Sequence, residues 1–536
     1  MTVFEYGQDI VVLDMGVQFP EEDMPGIDYI IPNTSYLRGK EKNIRAVIFS
    51  HGHLDHIGAS GILLEKLGYP AIVGRPLTLA MVKHRVEDYK KGAAGQLKVI
   101  TINNVSQRIR LGQFTVGFFP VDHSIMDAVG VILNTPAGTV IHPGDWTYEA
   151  NPVGRATVEY SRLANLPKPT ILMLESLGAT HTNPRVPEHV MYENIFRLIR
   201  QAPGRLIIGT FSSQIERIKR ILEYAESIGK KVALDGFSMK NNVEISKKLG
   251  YIKVHKETLI PIEAIRKFPD QRVIVLCTGA QGEAQAVLSR IVNGTHRFVK
   301  IQKSDTIVFS SSVIPGNERT IQRLKDNLYR LSDNVVHSDI MDVHSSGHST
   351  AQDILTVLHQ VNPTYFLPVY GNHAFLKEAA KLATRDGFRP ENTFVLDNGS
   401  ILEFSKGQPK LLPKKVPTDY VFVDGLGVGD ISHVVLRDRQ ALATDGMFVI
   451  IVKINARTGE LVNTPDIISR GFIYMKENQK FIDQVRDRVK KLLKDRDPRT
   501  SADESFIKNK IRDQVGQFLF TKTERRPMVL PVVIEV

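Results

Sequence analysis

Four potential metal ligands lie within six residues, directly after a short segment of apolar and β-branched residues. Residues 44–49 (IRAVIF) predict a buried strand, and the chain continues as SHGHLDHIG. His51 and His53 are two residues apart, so on an extended segment their rings leave the same side and can converge on one ion. Asp55 and His56 follow on a predicted tight turn, where they can serve a second ion nearby. The pattern HxHxDH therefore predicts a two-metal site at the end of a strand.

The alternative interpretation of these histidines is a solvated loop, and for any single one of them that interpretation is favoured. Four ligand-type residues in one motif, placed directly behind a β-branched segment, favour the metal site instead. Zinc is the predicted ion because imidazole and carboxylate are its usual ligands where water also binds. Two metals about 3.5 to 4 Å apart can stabilise both the attacking and the leaving oxygen of a phosphoester.

Composition limits the possible classes of protein. A chain of 536 residues is too long for one hydrophobic core, so we expect two to four domains. No segment approaches the about 18 consecutive apolar residues of a membrane span, and the first residues lack the pattern of a secretory signal. The single cysteine excludes an internal disulfide framework and predicts a cytoplasmic protein. The net charge of +11 favours a polyanionic partner such as nucleic acid.

From about residue 183 the chain alternates between predicted strands and helices. RLIIGTF precedes IERIKRILEYAESIG, KVALDG precedes MKNNVEISKKLG, and RVIVLCTG precedes EAQAVLSRIV. Such repetition predicts a parallel sheet with helices on its faces. Residues 406–419 (KGQPKLLPKKVPTD) predict a linker, because prolines disfavour both helix and sheet.

Beyond the linker, two helices and a closing strand are predicted. Apolar residues recur there at helical spacing in two sets, namely Phe481, Val485, Val489 and Leu492, and then Ile507, Ile511, Val515 and Phe518. The final residues, MVLPVVIEV, predict a strand.

Several motifs carry a resemblance to a known fold. HGHLDH resembles the zinc-binding motif of the metallo-β-lactamase fold, and the other expected pieces follow in order. Asp14 in VVLDMG is similar to the early aspartate of that fold, His123 in PVDHS to its third histidine, and Asp145 in HPGDW to its bridging aspartate. Without the HGHLDH motif before them, His123 and Asp145 would each be interpreted as an ordinary polar residue at a strand end.

The resemblance extends to nucleic-acid-processing members of this fold. The inserted α/β segment is similar to the β-CASP domain, in which Glu175 in LMLES matches the acidic motif and His348 in HSSGHS the histidine motif. TGAQGEAQAVLSR, SRGFIY and TERRPMVLPVVIEV resemble ribonuclease J. The resemblance implies an α/β protein with a metallo-β-lactamase αββα sandwich (residues 1–182 and 350–405), an inserted β-CASP domain (183–349), a linker (406–425) and a small α/β C-terminal domain (426–536).

The resemblance also implies a function and a set of site residues. It implies a zinc-dependent ribonuclease that degrades single-stranded RNA from a 5′-monophosphorylated end, with some internal cleavage, in RNA processing and decay. One zinc ion is expected on His51, His53 and His123, a second on Asp55 and His56, and Asp145 is expected to bridge them. The expected catalytic residues are Asp55, Glu175 and His348, with His348 as proton donor to the leaving 3′ oxygen or as a phosphate-stabilising group. The expected phosphate pocket comprises His344, Ser346, Gly347 and His348; without the resemblance, a capped loop before the helix AQDILTVLH is an equally good interpretation.

The sequence departs from the ribonuclease J pattern at three places. The usual PVHGE is PVYGNH here, so Tyr370 replaces a ligand of the second zinc, and that site is expected to be weaker. His373 is either a substitute ligand or a solvated loop residue. The usual GRSM is GFSM, so Phe237 cannot pair with a phosphate; it either stacks on a base or belongs to the core or a loop. Members usually carry a glycine-rich strand before the segment that matches MTVFEYG, so we expect an edge strand to be missing while the zinc ligands remain.

Three further expectations concern assembly and alternative functions. The C-terminal domain resembles one that forms homodimers or homotetramers. One alternative function is an enzyme of the same fold that hydrolyses another ester, such as a thioester or lactone. The other is an RNA-binding or assembly subunit that has lost catalysis, which the replacement at Tyr370 suggests.

Overall fold

The structure is a computed structural model that describes residues 1–150, 152–283, 285–314, 316–456, 458, 460–494 and 504–536. The described chain forms two compact units. The first contains residues 1–17 and 31–420, and the second contains residues 18–30 and 421–536. No helix among the described residues is long and apolar enough to cross a membrane.

Residues 1–175 contain most of the strands that carry the predicted ligands. In chain order the elements are β1 (Thr2–Tyr6), β2 (Asp9–Leu13), β3 (Tyr29–Ile31), β4 (Ile44–Ile48), α1 (Leu54–Ile57), α2 (Ser60–Lys66), β5 (Ala71–Gly74), α3 (Pro76–Tyr89), β6 (Val99–Thr101), β7 (Ile109–Leu111), β8 (Phe114–Pro120), β9 (Val129–Thr135), β10 (Gly138–His142) and β11 (Thr170–Glu175). Residues 176–420 contribute α4 (Glu188–Gln201), β12 (Leu206–Thr210), α5 (Ile215–Ser227), β13 (Lys231–Asp235), α6 (Phe237–Lys248), β14 (Leu259–Ile260), β15 (Val273–Cys277), α7 (Val287–Val292), β16 (Thr306–Ser310), α8 (Glu318–Tyr329), β17 (Asn334–Val336), α9 (Ala351–Val361), β18 (Tyr365–Val369), α10 (His373–Arg385), β19 (Ile401–Ser405) and β20 (Gln408–Leu412).

Two sheets pack face to face and form the predicted sandwich. One sheet has the order β1-β2-β4-β5-β6, and the other has the order β18-β11-β10-β9-β8-β7. Leu13 and Ile48 of the first sheet share a buried cluster with Val116 and Val131 of the second. The opposite face of the second sheet is covered by α9 and α10, whose apolar residues share a cluster with Phe366. The predicted αββα sandwich is therefore confirmed.

The insertion is a separate parallel sheet with helices on both faces, as predicted. Its six strands have the order β14-β13-β15-β12-β16-β17, and every neighbouring pair is parallel. Successive side chains of a strand point to opposite faces. Thus Ile208 packs with residues of α4, α5 and α6, whereas Ile207 packs with residues of α7 and α8. The predicted third helix spans 283–292 in the sequence, whereas α7 begins at Val287, and residue 284 lies outside the described residues.

The predicted linker contains the strand β20, although its prolines disfavour sheet. β20 pairs with β19 in an antiparallel two-stranded sheet, where Pro409 is opposite Phe404. A two-stranded sheet has only edge strands, and an edge strand tolerates a residue without a backbone N–H. The strand β21 (Val421–Asp424) also begins inside the predicted linker range.

The second unit contains the predicted helices and closing strand. Its further elements are β22 (Gly427–Val428), α11 (His433–Asp445), β23 (Met447–Ile454), β24 (Asp466–Arg470), α12 (Gln479–Lys494), α13 (Glu504–Thr523) and β25 (Met528–Glu535). The sheet order is β24-β23-β25, with β25 parallel to β23. Val485 of α12 and Val515 of α13 are buried in one cluster with Phe448 of β23. Residues 18–30 also belong to this unit, where Ile27 and Ile30 pack with Phe422 and Leu436.

Candidate metal centre

The potential ligands follow strand ends at one edge of the sandwich. His51 and His53 follow β4, His123 follows β8, and Asp145 follows β10. Asp14 follows β2, which is the parallel neighbour of β4. Because parallel neighbouring strands end at the same edge of a sheet, the side chains that follow them can meet.

Three histidines and one aspartate form the first group of potential ligands. Their ligand atoms all lie within 4.8 Å of one another. His53 Nδ1 lies 3.2 Å from His51 Nε2 and 3.0 Å from His123 Nε2. Asp145 Oδ2 lies 3.8 Å from His51 Nε2 and 3.9 Å from His123 Nε2. Four ligands placed about 2.0 to 2.1 Å from one tetrahedral zinc ion lie roughly 3.3 Å apart, which is close to this spacing.

Hydrogen bonds behind two of the histidines orient the nitrogen lone pairs toward this group. His123 Nδ1 donates to the carbonyl oxygen of Gly347 at 2.7 Å, which leaves Nε2 as the unprotonated nitrogen. His51 Nδ1 lies 3.0 Å from Ser50 Oγ, whose hydroxyl donates to Asp14 at 2.8 Å. His51 Nδ1 is therefore the protonated nitrogen, and its Nε2 lone pair faces the group.

The protonation states of the group suit a cation. Burial lowers the pKa of His53 to about 3 and that of His123 to about 3, and it lowers the pKa of His51 well below the usual value. The three rings are therefore neutral at neutral pH. Asp145 is ionised, because its ion pair with His56 outweighs the effect of burial and lowers its pKa. Converging lone pairs beside a buried carboxylate repel one another unless a cation lies between them.

Asp55, His56 and Asp145 form the second group, so Asp145 belongs to both. His56 Nε2 lies 3.1 Å from Asp145 Oδ1 and 3.6 Å from Asp55 Oδ2. His56 Nδ1 donates to Asp14 Oδ2 at 2.7 Å, which turns Nε2 toward the other two carboxylates. Burial lowers the pKa of His56, but the three surrounding carboxylates outweigh it and raise the pKa well above the usual value. This group therefore attracts positive charge.

The predicted tight turn is the short helix α1, which β2 and the residues after it hold in place. The amide of Met15 donates to His56 O at 2.7 Å, and the amide of Val17 donates to Leu54 O at 3.0 Å. A Cβ atom on Gly16 would lie 1.5 Å from the carbonyl oxygen of Asp55. Only glycine at position 16 therefore permits this approach of the two segments.

Tyr370 lies beside the second group, and His373 does not. The Tyr370 ring lies edge-on to His56, with 5.3 Å between centroids, and its hydroxyl donates to Asp14 Oδ2 at 3.5 Å. Burial and nearby carboxylates raise the pKa of Tyr370 well above its usual value, so the phenol stays neutral. His373 begins α10, is half exposed, and pairs through Nδ1 with Asp397 at 2.9 Å. Among the described residues, neither group of potential ligands contains His373.

Sequence analysis missed His142, which lies on the other side of Tyr370. The two ring centroids are 5.5 Å apart. His142 Nδ1 accepts a hydrogen bond from the amide of Gly144 at 3.0 Å, so the proton lies on Nε2, which is buried and has no hydrogen-bond partner among the described residues. The residue is the last of β10, and only its position in the sheet brings it close to the second group.

Residues 344–348, the HSSGH loop, connect the insertion to the first group of ligands. His348 Nδ1 donates to Glu175 Oε1 at 2.9 Å, and Glu175 Oε2 accepts from the amide of Trp146 at 3.0 Å. The His348 ring centroid lies 5.6 Å from that of His123. Burial lowers the pKa of His348, but Glu175 outweighs it and raises that pKa to about 9. His348 is therefore protonated at neutral pH, with its Nε2–H available to a ligand.

The conformation of the loop depends on Gly347 and on Arg185. Of these two residues, sequence analysis did not identify Arg185. A Cβ atom on Gly347 would lie 2.6 Å from Ser124 Cβ and 3.2 Å from His123 Cε1. Arg185 Nη1 donates to Ser345 Oγ at 2.8 Å and to the carbonyl oxygen of Ser346 at 3.1 Å. His344, Ser346, Gly347 and His348 are thus held in one loop next to the ligands.

Comparisons with known families agree with this arrangement. Residues 2–176 match the metallo-beta-lactamase superfamily, and residues 203–328 match the ribonuclease J beta-CASP domain. Residues 334–396 match the Zn-dependent metallo-hydrolase RNA specificity domain, and residues 434–536 match the ribonuclease J C-terminal domain. A solved structure of a protein of unknown function from Enterococcus faecalis has a TM-score of 0.51 at 16% identity, and the match covers 76% of this chain and 96% of that one. That likeness concerns the fold alone.

Curated relatives match over almost the full length of the chain. Ribonuclease J 1 of Streptococcus pyogenes is 35% identical over 99% of this chain and 94% of its own length. Ribonuclease J2 of Bacillus subtilis is 33% identical over 100% of this chain and 96% of its own length. Ribonuclease J 2 of Staphylococcus epidermidis is 30% identical over the same shares. With its sandwich, its inserted parallel sheet and its C-terminal unit, this chain belongs to the ribonuclease J family.

Proposed function

We propose that this protein is a zinc-dependent ribonuclease of RNA processing and decay that acts in the cytoplasm. Its substrate is single-stranded RNA, which it hydrolyses from a 5′-monophosphorylated end with some internal cleavage. The observation that carries the proposal is the pair of ligand groups that share Asp145, with a protonated His348 beside them. The names of the relatives and the matched RNA specificity domain support RNA as the substrate. The net charge of +11 suits a polyanion.

In the proposed mechanism the chain's own residues hold the metals, orient the phosphate and supply a proton. His51, His53 and His123 would hold one zinc ion, Asp55 and His56 would hold the other, and Asp145, which belongs to both groups, would serve both ions. When bound, such a pair lowers the pKa of water and stabilises the attacking and leaving oxygens of a phosphodiester. Asp14 and the carbonyl oxygen of Gly347 keep the ring nitrogens in the required orientation.

His348 and Glu175 provide the proton that the leaving group needs. Glu175 accepts from His348 Nδ1, so the remaining Nε2–H of His348 is the donor to the leaving 3′ oxygen. Burial raises the pKa of Glu175, and the ionic hydrogen bond to His348 opposes that effect. The phosphate is held by His344, Ser346 and Gly347 of the HSSGH loop, close to this donor.

We also propose that the second zinc ion binds more weakly than the first. Tyr370 lies beside His56 and is neutral, and a neutral phenol is a poor zinc ligand. His373 is engaged by Asp397 instead of supplementing the group. The first group has four potential ligands and the second has three, one of them shared.

Assembly into a homodimer or homotetramer through the C-terminal unit is a further part of the proposal. One face of its sheet exposes apolar side chains, each 39 to 40% accessible, namely Ile468 of β24 and Leu530, Val532 and Ile534 of β25. A row of exposed apolar residues on one sheet face is typical of a surface that a partner covers. Light scattering after size exclusion tests this, with Val532→Lys expected to lower the oligomeric mass.

Cleavage of 5′-labelled single-stranded RNA by the purified, zinc-loaded protein tests the proposed reaction. Release of labelled mononucleotide is expected from the wild type and from His189→Ala, which changes an exposed histidine of α4. His53→Ala is expected to abolish release, because it removes a nitrogen from the first group. Equal activity of His53→Ala and the wild type contradicts the proposal.

A second candidate function is an RNA-binding or assembly subunit without catalysis, which Tyr370 favours. Zinc content and RNA cleavage separate the two functions. Bound RNA without cleavage and without zinc in the wild type supports the second candidate. For both candidate functions we propose the same domain boundaries, namely those predicted from the sequence.

A further inference from the structure

Arg217 is a buried arginine that forms no ion pair with an aspartate or glutamate of the described residues. It lies in the first turn of α5 and is 3% exposed. Its Nη1 donates to the carbonyl oxygen of Ser310 at 2.7 Å and to Ser310 Oγ at 3.1 Å, and the Glu188 carboxylate acts on its charge without contacting it. An arginine is rarely buried unless it is paired, because removing a charge from water is unfavourable. Burial lowers its pKa to about 10, so the guanidinium is still charged at neutral pH.

Arg217 also determines which nitrogen of His344 carries a proton. Arg217 Nη1 lies 3.0 Å from His344 Nδ1. A guanidinium has only donors, so His344 Nδ1 must accept, and the ring proton must lie on Nε2. Burial and the Arg217 charge outweigh a hydrogen bond with the Ser310 backbone and lower the pKa of His344 well below its usual value, so the ring is neutral. The half-buried His344 thus carries its ring proton on Nε2, on the side of the ring away from Arg217.

Arg185 provides the comparison within the same loop. It donates to Ser345 and Ser346 of the HSSGH loop, and its charge is matched by Glu149. An arginine whose role is only to hold the loop can therefore form an ion pair with a carboxylate at the same time. Arg217 contacts the same segment, with Nη2 3.5 Å from the carbonyl oxygen of Ser345, yet no described aspartate or glutamate forms an ion pair with it.

The position of Arg217 in the sheet also suits an anion. α5 follows β12, a central strand of the parallel sheet, and ligands bind at the carboxyl ends of such strands. The N-terminal turn of a helix adds partial positive charge at the same place. The HSSGH loop lies at this edge, since His344 contacts Arg217 and the preceding residue, Val343, accepts a hydrogen bond at 2.7 Å from Ser310 Oγ at the end of β16.

We propose that Arg217 is a positioning residue of an RNA phosphate pocket, in which it fixes His344 as an Nε2–H donor and supplies the buried positive charge that faces the phosphate. This inference rests on the proposed function and adds a residue of the insertion to the site. The ligand of the pocket is a phosphate group of RNA, either the 5′-terminal phosphate or the phosphate of an internal linkage. Arg217 acts through His344, whose Nε2–H donates to a phosphate oxygen.

Steady-state kinetics on matched RNAs with a 5′-monophosphate or a 5′-hydroxyl test the inference. Arg217→Gln in the zinc-loaded protein is expected to raise KM about 10 to 100-fold with a smaller change in kcat. Arg217→Lys is expected to recover part of the affinity, because it retains the charge. Arg220→Gln is the matched control, since Arg220 lies on the same helix and pairs with Glu216 at 3.0 Å. A rise in KM limited to the 5′-monophosphorylated RNA identifies the terminal phosphate, and an equal rise on both RNAs identifies an internal one.

His344→Gln distinguishes positioning from a purely structural role. Because Arg217 acts through His344, the double variant is expected to raise KM no further than the more severe single variant. Additive effects of the two substitutions, or an unchanged KM in a folded Arg217→Gln protein, overturn the inference. If Arg217→Gln does not fold, the KM values of Arg217→Lys and His344→Gln test the inference instead. Both variants are expected to have a higher KM than the wild type, and a wild-type KM in both overturns the inference.

A binding measurement separates failure of this inference from failure of the proposed function. Inorganic phosphate is expected to raise the thermal unfolding temperature of the wild-type protein and to raise that of Arg217→Gln less. If the wild type cleaves no RNA, the proposed function fails, while a phosphate shift that depends on Arg217 still supports the pocket. An equal phosphate shift in both proteins overturns the pocket, whatever the RNA activity.

Discussion

Asp14 supports both ligand groups without belonging to either, so Asp14→Asn tests how the metal centre is oriented. The carboxylate accepts three short hydrogen bonds, from the Ser50 amide at 2.8 Å, from Ser50 Oγ at 2.8 Å and from His56 Nδ1 at 2.7 Å, and a longer one from the Tyr370 hydroxyl at 3.5 Å. These bonds and the charge of His56 outweigh burial and lower the pKa of Asp14, so it is ionised. Asparagine has almost the same shape, but one of its two terminal atoms is a donor. At least one of the three buried donors therefore loses its acceptor.

Two magnitudes follow from this loss. A buried donor left without an acceptor destabilises the fold by about 1 to 3 kcal/mol. Loss of a group that orients a metal ligand lowers metal affinity about 10 to 100-fold, which is about 1.4 to 2.8 kcal/mol. We expect Asp14→Asn to lower the zinc affinity of the folded protein by this factor.

Competition against a chelator, with zinc content measured on the dialysed protein, gives the zinc affinity. The matched control is Asp88→Asn, which changes an exposed aspartate of α3 that pairs with His84 at 3.3 Å. Exposed pairs of this kind contribute little to stability, so the control should bind zinc like the wild type. Wild-type zinc affinity in a folded Asp14→Asn protein would refute the reasoning, as would an equal loss in Asp88→Asn.

Three further predictions concern the residues around the two groups. Tyr370→His is expected to raise the zinc content per chain, because imidazole replaces a neutral phenol beside the second group; unchanged zinc content on elemental analysis contradicts this. The pKa of His348 is raised to about 9, so its proton is present at neutral pH and is lost as the pH rises through about 9. The activity of the wild type should therefore fall above that pH. His348→Gln should be about 100 to 10,000-fold slower, and its pH profile should lack the alkaline decrease. Gly347→Ala should displace His123 and lower zinc affinity about 10-fold or more, whereas Gly95→Ala, with open space around its Cα, should bind zinc normally.

Half of the first group of ligands, His51 and His53, could be predicted from the local sequence, whereas His123 and Asp145 were expected only because of the resemblance. His51 and His53 are two residues apart on an extended segment, and an extended segment places such residues on one side. The inserted parallel sheet could also be predicted from the sequence, since segments with strand-like and helix-like apolar patterns alternate along the chain. The predicted linker shows the limit of such reasoning, because Pro409 is compatible with an edge strand and only pairing with β19 shows that the strand forms.

Long-range pairing decided the surroundings of the second group. Tyr370 and His142 are far apart in the chain and meet because β18 and β10 both neighbour β11. His373 is near Tyr370 in sequence, but it begins α10 and pairs with Asp397. The choice between a substitute ligand and a loop residue therefore depended on the direction in which the chain leaves β18, which a single sequence does not encode locally.

Taken alone, the sequence indicated the ligand types of the HGHLDH motif, the strand end that carries it and the alternation that forms the inserted sheet, because each of these depends on residues close together in the chain. Only the tertiary structure showed that Arg217 is buried without a carboxylate and contacts His344. The two residues lie on separate elements, and an arginine in an amphipathic helix is usually exposed and solvated. Burial and partners are properties of the packed molecule, because they depend on which elements lie next to one another.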